Sequence, residues 1–136
     1  MNKEARNDSR YKLWRILYQG LAAVFFVCVV VQIFFAGMAV FTSPSYWQYH
    51  LVFVRMFELF PILMLVCAFA GKMSKALRWM CVAIFVLIYA QYFTAHFPGA
   101  GAFHPVIAAV LFWVSLSAVA RARRSISSEA REKQSE

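Results

Sequence analysis

Seven polar side chains stand within or at the ends of long apolar runs: Gln32, His50, Arg55, Glu58, Gln91, His96 and His104. They are the groups in this sequence with chemistry to offer. Imidazole is a ligand for haem iron and for divalent metals, but only as the neutral ring. His104 precedes Pro105, so the dipeptide reads as a helix start with His104 as a candidate N-cap. His50 follows the aromatic cluster Tyr46, Trp47 and Tyr49 and falls near the first turn of another helix. The positive end of a helix dipole favours a neutral ring at both positions.

Two kinds of chemistry compete for these rings. In the first, His50 and His104 are axial ligands of a b-type haem or flank a quinone, with Gln32, Gln91 and Arg55 in support. Alternatively His50, His96 and His104 share a metal ion. In the second, histidines and glutamines form an interhelical hydrogen-bond layer with no cofactor. Ala108, Leu111, Ser115 and Ala118 follow His104 at helical spacing. This stripe of mostly small residues lets a helix or a flat ligand approach closely. Met38 alone at a helix end reads as packing rather than as a copper ligand.

Arg55 and Glu58 pose a different problem, because a charge near the middle of a membrane helix costs about 2.5–3.5 kcal/mol even on lenient scales. At i and i+3 the two side chains are neighbours, and pairing would offset part of that cost. On a helical wheel Glu58 lies about 80° and Arg55 about 140° from His50. Three roles follow for the pair: a haem-propionate or anionic-ligand partner, a proton relay, or a self-neutralised pair that fixes register or an oligomer contact. Pro61 should kink the helix just beyond it.

These groups are positioned by apolar helices. The chain has 136 residues, is 62% hydrophobic and 15% charged, and carries a net charge of +8. A soluble domain of this size averages roughly 45–50% apolar, so the excess calls for lipid as solvent. Four runs, about 13–41, 47–70, 77–95 and 104–120, approach or exceed the roughly 17–25 residues of a membrane helix. Short connections between them predict an all-α, integral membrane, up-down four-helix bundle. Lysines and arginines lie before the first run, between the second and third, and after the fourth. The 41–46 and 96–103 connections have none. The positive-inside rule then places both termini in the cytoplasm and the histidines toward the outer side. Residues 1–12 and 121–136 read as basic tails suited to anionic headgroups. Basic residues that flank apolar blocks, without an aromatic groove between them, argue against nucleic acid. Cys28, Cys67 and Cys81 lack ligand spacing and read as small buried hydrophobes.

"VQIFFAG" late in the first helix, Trp47 and His50 opening the second, Gln91 late in the third and His104-Pro105 opening the fourth form a recognisable set. The sequence resembles an uncharacterised bacterial family of small four-helix integral membrane proteins with a domain of unknown function. That resemblance spans roughly residues 12 to 124 and implies fold and membrane location, not an activity. Arg55 and Glu58 are not part of the pattern. The sequence therefore predicts a small multi-pass plasma-membrane protein, a non-enzymatic structural or accessory component able to form a homo-oligomer or join a membrane complex. A haem-, metal- or quinone-associated redox protein is the first alternative. An oligomeric proton-coupled transport subunit using Glu58 is the second.

Overall fold

The computed structural model describes residues 3–135, and its regular structure among them is entirely helical. In chain order the helices are α1 (Lys3–Phe41), α2 (Tyr46–Phe57), α3 (Phe60–Ala70), α4 (Lys75–His96) and α5 (Phe103–Ser135). Helices α2 and α3 together make one apolar span, Tyr46–Ala70. With Arg6–Phe41, Lys75–His96 and Phe103–Ser128 this gives four helices long and apolar enough to cross a membrane. The spans pack in a ring, with α1 against α2, α3 and α5, and α4 against α3 and α5. One end of the bundle carries both termini and the 71–74 connection. The far end carries the 42–45 and 97–102 connections.

Each helix turns a narrow stripe inward. Tyr18, Ala22, Phe25 and Val29 of α1, Leu77, Cys81, Ile84 and Ile88 of α4, and Leu111, Ser115, Ala118 and Ala122 of α5 are all buried. Their spacing of three and four residues keeps each set on one helical face. The outward faces are apolar as well: Val24, Phe34, Val52, Leu63, Val86, Phe93 and Trp113 are exposed. Only 17–28% of the most apolar window of each span is buried. The inner stripe is a minority of the apolar surface, and the remainder suits an apolar solvent.

The small-residue stripe of α5 is helix packing. Ser115 is 1% and Ala118 0% exposed, and Ala118 lies in the same core cluster as Tyr18 and Phe25. Cys67 and Cys81 are buried free thiols and Cys28 is half-buried. The Cys81 thiol donates to the Tyr18 hydroxyl at 3.6 Å and to the Leu77 carbonyl at 3.3 Å.

The predicted kink is an interruption of the hydrogen-bond ladder. Pro61 has no N–H to offer the Phe57 carbonyl, and the regular helix lapses at Glu58–Leu59, although both residues keep right-handed helical dihedrals. The backbone N–H groups of Ile62 and Leu63 both reach the Leu59 carbonyl, at 3.1 and 3.4 Å, to restart the helix as α3. The two halves then pack differently. Helix α3 rests on both α1 and α4, whereas α2 rests on α1 and stands off from α4.

Helices α1 and α5 run further than the expected bounds of 13 and 120. Their end segments are rich in Arg, Lys, Glu and Ala, residue types of high helix propensity. At about 1.5 Å per residue, the 39 residues of α1 reach about 58 Å, well beyond a hydrocarbon core of about 30 Å.

Candidate functional site

At the far end, α1 and α2 are joined by a reciprocal couple. The Gln32 amide donates from Nε2 to the His50 backbone carbonyl at 2.7 Å. His50 Nδ1 lies 3.1 Å from the Gln32 backbone carbonyl. A carbonyl oxygen only accepts, so the proton of this ring sits on Nδ1. The T-shaped neighbour of the ring is Trp47, one turn earlier, with centroids 5.5 Å apart. Gln32 Oε1 is buried with no partner, an uncommitted acceptor in the same layer.

The other hairpin repeats the arrangement. His104 Nδ1 lies 3.1 Å from the Gln91 backbone carbonyl on α4, and 3.3 Å from the Thr94 hydroxyl. Oriented to satisfy its neighbours, the Gln91 amide donates to the His104 carbonyl at 2.9 Å and accepts from the Ala108 N–H at 2.9 Å. Its nitrogen then stands 3.0 Å from His104 Nδ1. Whichever group of Gln91 engages it, Nδ1 is held against α4. His104 is the second residue of α5 and not its N-cap; the ring is fixed by the neighbouring helix instead.

The two couples meet across the bundle. The His50 and His104 ring centroids are 6.2 Å apart at an interplanar angle of 55°, although α2 and α5 occupy opposite corners of the ring of helices. Among the described residues no hydrogen bond reaches either Nε2. Gln32, His50, Gln91 and His104, expected from sequence to share a layer, are therefore together.

His96 and Arg55 are not part of it. His96 is exposed, and its Nδ1 donates to the Tyr92 carbonyl of its own helix at 2.8 Å. Among the described residues no group of three His, Cys, Asp or Glu side chains is placed to hold a metal ion, so the three-histidine centre considered from sequence is not assembled. Arg55 is exposed on α2. It lies about 7.5 Å further along the helix than His50, at 1.5 Å per residue, and does not reach the histidine layer.

Glu58 sits at the break between α2 and α3 and takes a different partner from the expected one. Its Oε2 accepts a hydrogen bond from the Tyr92 hydroxyl of α4, and among the described residues no ion pair joins it to Arg55. The break lets the short carboxyl turn toward α4, where an i, i+3 pairing in an unbroken helix would have kept it on α2. Glu58, Leu59, Phe85, Ile88, Tyr89 and Tyr92 line a cavity of about 210 Å³ there. Neither Tyr92 nor Thr94 was among the candidate site residues read from the sequence. The signal for Tyr92 was its spacing from Phe85, Ile88 and Tyr89, which puts all four on one face of α4.

The profile of a family of unknown function, DUF6220, matches residues 32–99, half of the chain. This chain is a member of DUF6220. The part that matches the DUF6220 profile runs from Gln32 through the whole of α2 and α3 to the end of α4. It holds His50, Glu58, Gln91 and Tyr92 but stops before His104. No curated protein and no solved structure matches the chain.

Proposed function

We propose that this chain is a multi-pass plasma-membrane protein, with both termini cytoplasmic, that holds a b-type haem between His50 and His104. The observation that supports it is the 6.2 Å opposition of two rings whose Nδ1 atoms are both tied to Gln residues. Two imidazoles on opposite sides of one metal ion, at metal–nitrogen bonds of about 2.0–2.1 Å, have their ring centres roughly 6 Å apart. A ligating histidine characteristically gives its other ring N–H to a carbonyl, which fixes the tautomer and raises the basicity of the ligand nitrogen. His50 has that arrangement, and His104 has it when its Nδ1–H is on the Gln91 carbonyl. In both cases the lone pair is on Nε2.

A haem held by His50 and His104 would supply one-electron transfer. That fits a small accessory or electron-carrying component better than an enzyme. The lysines and arginines outside the spans all fall at the end with the termini, as expected if that end faces the cytoplasm and its anionic lipid headgroups. The haem would then lie in the outer half of the bilayer.

Expression with haem supplementation, followed by purification in mild detergent, tests the proposal by absorption. One low-spin haem per chain is expected, lost on His50→Ala and on His104→Ala and retained on His96→Ala. A wild-type protein without a Soret band would overturn it.

A further inference from the structure

The cavity between the α2–α3 junction and α4 is separate from the histidine layer and has its own chemistry. Its floor is the Glu58 carboxyl group, with Oε2 occupied by the Tyr92 hydroxyl. Among the described residues Oε1 takes no hydrogen bond, so one strong acceptor remains. The walls are Ile88 and the rings of Phe85 and Tyr89, which pack on each other with centroids 4.8 Å apart. Leu59 and Tyr89, 59% and 61% exposed, stand at the mouth, so the cavity opens on the apolar flank of the bundle. A ligand reaches it from the lipid and not from water.

Charge narrows the class of ligand. Arg55 lies three residues before Glu58, about one helical turn away on the same helix. An ammonium headgroup would meet that like charge, and an anion would meet the Glu58 carboxylate. A neutral, flat ring that carries a hydroxyl meets neither. It donates to Oε1, stacks against the aromatic wall and leaves an apolar tail in the lipid. We propose that the cavity between the α2–α3 junction and α4 binds the headgroup of a membrane quinol, with Glu58 as the hydrogen-bond acceptor and Tyr92 as the residue that positions its carboxyl group.

The site rests on its own residues and stands without the haem. Its test is equilibrium binding of decyl-ubiquinol to the protein in lipid nanodiscs under anaerobic, reducing conditions. Saturable binding of one molecule per chain is expected. Oxidised decyl-ubiquinone, which has no hydroxyl to donate, should bind about tenfold more weakly, the change for losing one charge-assisted hydrogen bond. Glu58→Gln should weaken quinol binding by a similar factor. Leu59→Trp, which fills the mouth and leaves the carboxyl group untouched, should abolish it and serves if the Gln variant fails to fold. His104→Ala should bind quinol as wild type does, so an absent Soret band and an absent quinol site are separate results. Absence of saturable binding, equal affinity for quinone and quinol, tighter binding of dodecylamine than of quinol, or wild-type affinity in Leu59→Trp would each overturn the assignment.

Discussion

Gly71→Ala places one methyl group at the tightest contact of the turn between α3 and α4. A Cβ there would lie 3.0 Å from the Cys67 carbonyl oxygen, 3.1 Å from Arg15 Cγ and 3.3 Å from Trp14 Cβ. The first of these is backbone, and the second belongs to a side chain held by its own bond, Arg15 Nε to the Gly71 carbonyl at 2.8 Å. Moving Arg15 by a few tenths of an ångström strains that bond, and moving the carbonyl strains the end of α3. Overpacking of this kind costs about 1–3 kcal/mol. The opposing effect is the smaller entropy of an unfolded alanine, worth about 0.4–1 kcal/mol, and it is available because φ at Gly71 is −82°, which alanine tolerates. The clash is the larger quantity, leaving a net loss of about 1–2 kcal/mol. For a chain of this size that is on the order of 3–8 °C in Tm. Gly37→Ala is the control: it lies within α1 with nothing within 4 Å of the added methyl, so it should gain roughly 0.5–1 kcal/mol. Thermal unfolding in detergent, followed by loss of the monodisperse size-exclusion peak, separates the two. A Gly71→Ala protein that melts at or above wild type would refute the reasoning, because the turn would then yield without cost.

Other consequences are equally open to measurement. Ala118→Leu drives a larger side chain into the fully buried seam of α5 and should cost about 1–3 kcal/mol; its melting point, compared with that of the exposed control Leu116→Ala, gives the answer. Gln91→Leu removes the amide bridge to His104 and Ala108. It should lower stability by about 1–2 kcal/mol at the 0.6 kcal/mol typical, and 1.7 maximal, of an interhelical bond in a membrane. With cytoplasmic termini, Ala100→Cys should react with an impermeant maleimide in intact cells and Ser74→Cys should not; the reverse pattern would invert the topology.

The bundle was readable because its determinants are local: run length, turn residues and flanking charge. The buried sets of four on α1, α4 and α5 follow directly from helical spacing. The histidine layer was readable only in part. Sequence put Gln32, His50, Gln91 and His104 at one depth, but depth does not specify the order of helices around a ring, and that order decides whether the rings meet. Glu58 shows the opposite failure. An i, i+3 rule assumes a continuous helix, and Pro61 removes that continuity. The carboxyl group then answers to a residue 34 positions away, Tyr92, through a contact that tertiary packing alone creates.

The two Gln–His couples each close within one pair of consecutive helices, α1 with α2 and α4 with α5, while no hydrogen bond among the described residues joins His50 to His104. Each hairpin can therefore complete its own polar pairing before the other half has been synthesised. What remains for the last step of assembly is the approach of two finished halves, whose imidazole centroids end 6.2 Å apart. A ligand bound there would act as the clasp between them, and its arrival would be the event that distinguishes a mature molecule from two hairpins that merely lie side by side.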